Sequence, residues 1–185
     1  VLKQGIGEGV NGTIVSPDGK WIAFYWWQWD GKKGSGAEHS VRIMRADGTG
    51  ERTLFNVGKK ERYYIYLYSW SPDGKWIAAM QQGQGDYGAI LISTETGERR
   101  PLGIGDQWIF TAKFSPDGQW LAFGTPMPRA AATRVSVLAV NRPDSQVINL
   151  VDNAVLAGWT PDGQGILFTR MRNDAIEMFL LPVAQ

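Results

Sequence analysis

The sequence predicts an all-β fold built from repeated antiparallel units. Three observations support this prediction: a turn-forming tetrapeptide recurs at a nearly constant interval, short apolar strands flank each copy, and no stretch shows sustained helical periodicity. The chain has 185 residues, of which 43% are hydrophobic. That length and composition suit one domain with a hydrophobic core and exclude a disordered chain.

The recurring tetrapeptide is Ser-Pro-Asp-Gly, with Thr replacing Ser in the last copy. Its four copies begin at Ser16, Ser71, Ser115 and Thr160, at intervals of 55, 44 and 45 residues. Proline and aspartate suit the two central positions of a type I turn, and glycine then supplies the positive φ that leads into the returning strand. The aspartates are therefore interpreted as turn residues, and not as metal ligands or catalytic acids: Asp18, Asp73, Asp117 and Asp162.

Each tetrapeptide connects two predicted strands, and a third and a short fourth strand follow. The first strands precede the turns: Gly12–Val15, Ile65–Trp70, Ile109–Phe114 and Val155–Trp159. The second strands follow them: Trp21–Trp27, Trp76–Met80, Trp120–Gly124 and Gly165–Arg170. The third strands come after a loop: Ser40–Arg45, Ala89–Ser93, Thr133–Val140 and Ile176–Val183. Three units have a fourth strand: Arg52–Phe55, Arg99–Leu102 and Val147–Leu150.

Four antiparallel strands in every ~40–45 residues are typical of the blade of a β-propeller. We therefore predict a β-propeller built of four-stranded antiparallel blades, with four blades at about 11–55, 64–102, 108–150 and 155–185. The fourth blade lacks its last strand. Because Gly5–Glu8 echoes Gly103–Asp106, which follows a last strand, we expect residues 1–4 to be a closing strand that pairs with the last blade.

The segment Ser-Pro-Asp-Gly-Lys-Trp-Ile-Ala-Phe at 16–24 resembles the repeat of TolB-like (WD-repeat-like) β-propellers. Related repeats occur in the propeller domains of prolyl oligopeptidase-type and tricorn-type proteases. The resemblance covers nearly the whole chain and implies a propeller fold and a periplasmic or cell-envelope location in a bacterium. It implies no single function, because such propellers serve many unrelated ends.

The number of blades leaves three arrangements open, because TolB-like propellers usually have six or more blades and this chain encodes four. The chain closes as a four-bladed ring, two chains form a homodimer that completes one eight-bladed ring, or the chain is a fragment of a longer propeller. The curvature of blades in this family favours the second and third. The start at Val1, without methionine, also leads us to expect a processed, trimmed or partial product.

The composition excludes several kinds of site. The absence of cysteine excludes disulfides, thiolate metal sites and a cysteine nucleophile, and the single histidine, His39, excludes a multi-histidine metal centre. The net charge of +1 gives no reason to expect nucleic-acid binding, and no run approaches the ~20 apolar residues of a membrane helix. We expect no catalytic residue, no metal and no cofactor.

One propeller face is the expected binding face, by analogy with the fold. It carries the fourth-to-first and second-to-third strand loops, where binding residues concentrate on a rigid scaffold. The predicted loops on this face are Trp29–Ser40, Asn56–Arg62, Gln81–Tyr87, Gly103–Trp108, Thr125–Ala132, Val151–Ala154 and Met171–Asp174.

Aromatic and basic residues near this face are the candidate binding residues: Trp29, Lys32, Lys33, Lys60, Arg62, Tyr64, Tyr66, Tyr68 and Trp108. Trp26 and Trp27 are interpreted as core between blades, whereas Trp29, at a strand end, suits either core or ligand contact. The three tyrosines fall on one side of a strand and either bind a ligand or fill the central channel. The basic residues either attract an acidic partner or are simply solvated.

These features predict a non-catalytic propeller that binds or scaffolds a protein or peptide. A first alternative is the gating propeller of a larger prolyl oligopeptidase-like or tricorn-like hydrolase. A second alternative, which rests on exposed aromatic residues alone, is a carbohydrate-binding propeller.

Overall fold

The computed structural model describes residues 7–29, 37–57, 63–83, 86–127, 133–142 and 145–183. Within these ranges the chain forms fifteen β-strands and no helix, which confirms the all-β prediction. A membrane-crossing helix of sufficient length and apolarity is accordingly not found in the described ranges.

The strands form antiparallel sheets in chain order, each corresponding to one predicted blade. Blade 1 contains β1 to β4: Glu8–Val15, Trp21–Trp29, Ala37–Arg45 and Arg52–Val57. Blade 2 contains β5 to β8: Tyr64–Trp70, Trp76–Gly83, Asp86–Ser93 and Arg99–Pro101. Blade 3 contains β9 to β12: Thr111–Phe114, Trp120–Pro126, Thr133–Ala139 and Ile148–Asp152. Blade 4 has three strands, β13 to β15: Val155–Trp159, Gly165–Arg172 and Ala175–Pro182.

The chain divides into two compact units. Unit 1 comprises residues 1–103 and holds blades 1 and 2, whereas unit 2 comprises residues 104–185 and holds blades 3 and 4. Each unit has its own core, formed where the faces of its two blades pack together.

The repeated tetrapeptides form the turns between the first two strands of each blade. In the first copy, the Ser16 hydroxyl donates to the Asp18 carboxylate at 2.6 Å and accepts from the amide of Trp21 at 2.9 Å. Asp18 also accepts from the amide of Lys20 at 3.0 Å, and Gly19 has a φ of 71°. The other three copies repeat these contacts, so the interpretation of the aspartates as turn residues is confirmed.

The core of unit 1 follows from alternation along its strands. Ala23 and Tyr25 lie two residues apart on β2, and Ile77 and Ala79 lie two apart on β6, so each strand turns alternate residues toward the other blade. Full burial of a side chain such as Ile77 stabilises the fold by about 1.5–3 kcal/mol. The core is completed by Val41, Ile43, Leu54, Val57, Ile65, Leu67, Trp70, Ile90 and Ile92.

The core of unit 2 is assembled in the same way from blades 3 and 4. Phe168 stacks on Phe179, with ring centroids 5.5 Å apart and an angle of 16° between the planes. The indole N–H of Trp159 donates to the carbonyl oxygen of Lys113 at 3.0 Å, which joins β13 to β9. The remaining core residues are Ala122, Val135, Val137, Val151, Ala154, Leu156 and Ile166.

The second and third strands extend further than the sequence predicts. The pairing of β2 with β3 continues to Trp29 opposite Ala37, and that of β6 with β7 continues to Gly83 opposite Asp86. The predicted loops 29–40 and 81–87 are therefore partly strand. Polar residues such as Gln81 end the apolar pattern before the backbone pairing ends, because ladder hydrogen bonds do not need apolar side chains.

Half of the predicted loop Met171–Asp174 is also strand, because β14 and β15 are joined by a two-residue turn. Asn173 and Asp174 have φ values of 48° and 61°. Two consecutive residues with positive φ form the primed turn whose twist matches that of a β-hairpin. The asparagine and aspartate tolerate this conformation better than most residues.

Three first strands begin at positions other than those predicted. β1 begins at Glu8 instead of Gly12 and contains a bulge between Asn11 and Ile14. β5 begins at Tyr64, one residue before the predicted start, and β9 begins at Thr111, two residues after it. The closing strand predicted for residues 1–4 lies outside the described residues.

Candidate functional site

The loop end of the contact between blades 1 and 2 carries a group of aromatic side chains. We call this group the aromatic cluster and define it as Tyr25, His39, Tyr63, Tyr64 and Tyr66. The rings of Tyr25 and His39 are stacked with centroids 5.5 Å apart, and the ring of Tyr64 meets His39 edge-on at 5.6 Å. Three strands and the residue before β5 thus bring these side chains to one place in unit 1.

Hydrogen bonds indicate which ring nitrogen of the histidine in the aromatic cluster acts as the donor. The Tyr25 hydroxyl lies 2.7 Å from Nδ1 of His39 and donates to the carbonyl oxygen of Tyr63 at 3.1 Å. A hydroxyl has one proton, and a carbonyl oxygen only accepts. Tyr25 therefore accepts from an Nδ1–H of His39, and the neutral ring keeps Nε2 as a hydrogen-bond acceptor.

Burial favours the uncharged forms of His39 and Tyr25. It lowers the pKa of His39 below the ordinary value of 6.5, because the charged ring loses hydration. Burial, followed by the proximity of Tyr64 and Tyr66, raises the pKa of Tyr25 above its ordinary value. The cluster thus offers apolar ring surface and a neutral imidazole acceptor.

A glycine supports one ring of the aromatic cluster. A Cβ at position 83 would overlap Cδ1 and Cε1 of Tyr63, so the ring lies directly over the backbone of Gly83. The backbone carbonyl of the same residue, Tyr63, accepts the hydrogen bond from Tyr25.

Two tyrosines of the aromatic cluster are exposed. Tyr64 and Tyr66 are 53% and 38% exposed, whereas Ile65 and Leu67 between and beyond them are buried, as the predicted alternation requires. The Tyr66 hydroxyl donates to Oε1 of Gln82 at 3.1 Å. These rings are held by strand β5 and remain accessible to a ligand.

The three tryptophans in the second half of β2 have different environments. Trp27 packs against the core of unit 1 and lies over Gly9, in agreement with its interpretation as core. Trp26 is half-buried beneath the guanidinium of Arg42, whose Cζ lies 3.7 Å from the ring centroid. Trp29, at the end of the strand, is 48% exposed.

Two further predicted site residues are less open. Tyr68 is half-buried at the bulge of β5, with its hydroxyl 3.9 Å from the sulfur of Met80, and burial raises its pKa above the ordinary value. Trp108 belongs to unit 2, where its ring meets that of Phe110 at 6.5 Å. Phe110 is 55% exposed.

The predicted basic residues Lys32, Lys33, Lys60 and Arg62 lie outside the described residues. No group of three or more histidine, cysteine, aspartate or glutamate residues that could hold a metal ion is found among the residues that the structure describes.

Sequence reasoning missed three members of the aromatic cluster, Tyr25, His39 and Tyr63, and also the supporting Gly83. The sequence offers neither a second histidine for a metal site nor a motif that pairs His39 with a nucleophile, so a lone histidine gives no signal of a site. Its proximity to Tyr25 depends on the register of β2 and β3, in which Trp27 faces His39. The length of the connecting loop alone does not fix that register.

Comparison by sequence gives no matching family model and no matching curated protein. Comparison by structure gives several. TolB from Acinetobacter baumannii has a TM-score of 0.62 and 19% identity over 95% of this chain and 39% of its own. A protein assigned as a dipeptidyl aminopeptidase IV from Bacteroides ovatus has a TM-score of 0.73 and 15% identity over 98% of this chain and 34% of its own. An oligogalacturonate lyase from Vibrio parahaemolyticus has a TM-score of 0.62 and 11% identity over 98% of this chain and 68% of its own.

These similarities concern the fold, because the identities are low and one propeller architecture serves unrelated activities. The chain spans well under half of the TolB and peptidase structures named above. The resemblance to TolB-like propellers is confirmed for the fold, and this chain has the blade architecture of TolB-like β-propellers.

Proposed function

We propose that this chain is a non-catalytic propeller that binds a protein through an extended peptide segment at the aromatic cluster. The observation that carries the proposal is the exposure of Tyr64 and Tyr66 beside a neutral His39 on ordered strands. Tyrosine rings supply large contact areas at low entropic cost, which is why binding surfaces are enriched in them. The resemblance to TolB-like propellers supports a location in the bacterial cell envelope.

The chemistry of the aromatic cluster indicates what the peptide should offer. An apolar or aromatic anchor side chain would pack on Tyr64 and Tyr66. An N–H or O–H donor would meet Nε2 of His39, since the hydrogen bond to Tyr25 occupies Nδ1. Trp29, which is exposed at the end of β2, offers a further aromatic side chain in unit 1.

The experiment is selection of displayed random peptides on the full chain, followed by affinity measurements on individual peptides. Replacing an exposed anchor residue at a binding surface typically weakens affinity about tenfold or more. Tyr64→Ala should show this loss, whereas Phe110→Ala, which removes an equally exposed ring in unit 2, should not. Equal affinity of Tyr64→Ala and the parent chain, or an equal loss in both variants, would overturn the proposal.

A second candidate function is the substrate-access propeller of a larger hydrolase. The structural similarity to the peptidase assignment from Bacteroides ovatus favours it, because this chain corresponds to 34% of that protein. The coding sequence is the test. A hydrolase domain in the same polypeptide would support this candidate, and its absence from the full gene would remove it.

A further inference from the structure

Unit 2 contains a polar groove at the end of β12 that no predicted function accounts for. Its volume is about 440 Å³. Its polar lining comes from Arg134, Asn149, Asp152 and Arg170, and its apolar lining includes Phe168 and Leu181. We call it the arginine groove.

The two arginines of the arginine groove differ in their hydrogen-bond partners. Arg134 makes a two-pronged contact with Asp152, with Nε at 2.5 Å and one terminal nitrogen at 3.1 Å from the carboxylate oxygens. Arg170 donates to the backbone carbonyl of Asp152 at 2.8 Å, and its Cζ lies 5.4 Å from the ring centroid of Phe168. Its Nε is buried and has no hydrogen-bond partner among the residues that the structure describes.

The charges and donors of the arginine groove favour an anion. Among the residues that line the groove, one carboxylate faces two guanidinium groups, so one positive charge of the lining is left uncompensated. Glu177 is paired opposite Arg170 in the ladder of β14 and β15 but does not line the groove. Asn149 uses its side-chain oxygen to accept from Ser136 at 3.0 Å, which leaves its amino group as a further donor. A buried donor without a partner is costly, and an ionised acceptor relieves that cost best.

The remaining lining indicates what the anion is attached to. Phe168 is buried, Leu181 is half-buried, and both belong to the apolar face of blade 4. A single carboxylate suits one uncompensated charge better than a dianion does, because a second negative charge would face Asp152. We propose that the arginine groove binds a carboxylate that carries an apolar group, with Arg170 as its principal contact.

Two sources share this chemistry: a small organic acid and the free carboxyl terminus of a peptide that ends in an apolar residue. The probes are therefore hexanoate and the tetrapeptide Gly-Gly-Gly-Leu. Their neutral controls are hexanamide and the same peptide with an amidated terminus. Binding is followed at pH 7 on the full chain through the ¹⁵N–¹H signal of the Arg170 side-chain Nε, which is assigned by its loss in Arg170→Lys.

The proposal predicts a saturable shift of the Arg170 Nε signal with a carboxylate probe and not with its neutral control. The carboxylate that binds more tightly identifies the source. Arg170→Lys should weaken binding about tenfold or more, because a charge-assisted, oriented contact is lost. Arg172→Lys, the same change at an exposed position of the same strand, should leave the affinity unchanged.

Replacement of Asp152, whose carboxylate competes with a bound anion for the arginines, should strengthen binding. Asp152→Asn should tighten hexanoate binding, because Arg134 loses its charged partner while the backbone carbonyl that accepts from Arg170 remains. Weaker binding in Asp152→Asn would overturn the proposal. So would an unshifted Arg170 signal with both acids, or equal shifts with acids and amides. Retained dispersion of the backbone amide signals shows that each variant is folded.

Discussion

The two units differ most at the strand ends that lie away from the repeated Ser-Pro-Asp-Gly turns. In unit 1 the loop end of the contact between blades is uncharged and aromatic, with His39 held neutral against Tyr25. In unit 2 the end of β12 carries two arginines and an aspartate. The turns at the opposite strand ends are nearly identical in the two units, down to the hydroxyl–carboxylate hydrogen bond.

This difference separates the residues that specify the fold from those that specify binding. The Ser-Pro-Asp-Gly turns and the alternating core residues recur because every blade needs the same turn and the same packing faces. The loop ends have no such common requirement, so their side chains are free to serve a ligand. Substitutions in the turns should therefore change stability equally in both units. Substitutions at the loop ends should affect only the unit that contains them.

Gly83→Ala should cause the largest loss of stability. The added methyl group overlaps the Tyr63 ring, so the aromatic cluster must rearrange, and overpacking of this kind typically costs about 1–3 kcal/mol. Gly158→Ala in unit 2 is the control, because a Cβ there meets no atom within 4 Å. Urea unfolding measures both variants. Equal stabilities of the two variants would show that Gly83 does not support the cluster.

Tyr25→Phe should cause the next largest loss of stability. The change leaves Nδ1–H of His39 and the carbonyl oxygen of Tyr63 without their shared partner, at a cost of about 1–2 kcal/mol. Tyr64→Phe removes a hydroxyl from an exposed ring and should change the free energy of unfolding by less than about 0.5 kcal/mol. A smaller effect at Tyr25 than at Tyr64 would contradict the assigned hydrogen bonds.

Replacement of the turn serine by alanine should lower stability equally in the two units. Ser16→Ala in unit 1 and Ser115→Ala in unit 2 each remove the same two hydrogen bonds from a buried hydroxyl, at a cost of about 1 kcal/mol. Chemical unfolding of the two variants provides the measurement. A clear inequality would mean that the repeat is not energetically equivalent in the two units.

The smallest effect concerns pH and is confined to unit 1. The folded-state pKa of His39 lies below its value in the unfolded chain, which is about 6.5. The contribution of the neutral ring to stability is therefore complete above pH 6.5 and is lost as the pH falls through the folded-state pKa. Because His39 is the only histidine, its imidazole proton signal reports the titration directly. A pKa at or above 6.5 in the folded protein would contradict the buried, neutral state.

The sequence predicts the fold well for a physical reason. Each turn needs proline, aspartate and glycine in a fixed order, so the repeat is visible without an alignment, and it places the start of every second strand correctly at Trp21, Trp76, Trp120 and Gly165. Strand ends were predicted less well, because backbone pairing continues through polar residues and because the bulge in β1 interrupts the alternation.

The candidate site could be predicted only in part. Tyr64 and Tyr66 were found because alternation along β5 shows which side chains share a face. His39 and Tyr25 were not found, because their contact spans two strands and depends on a register that local sequence does not specify. The meeting of Arg134, Asp152 and Arg170 likewise depends on how blades 3 and 4 pack.

The most direct test of the proposed function is the imidazole signal of His39 during titration with a selected peptide at pH 7. The account predicts that this signal shifts saturably, with the same affinity that binding measurements give, and that the shift is lost in Tyr64→Ala. An unchanged His39 signal while the peptide binds would place the contact elsewhere on the chain and contradict the assignment of the aromatic cluster as the binding site.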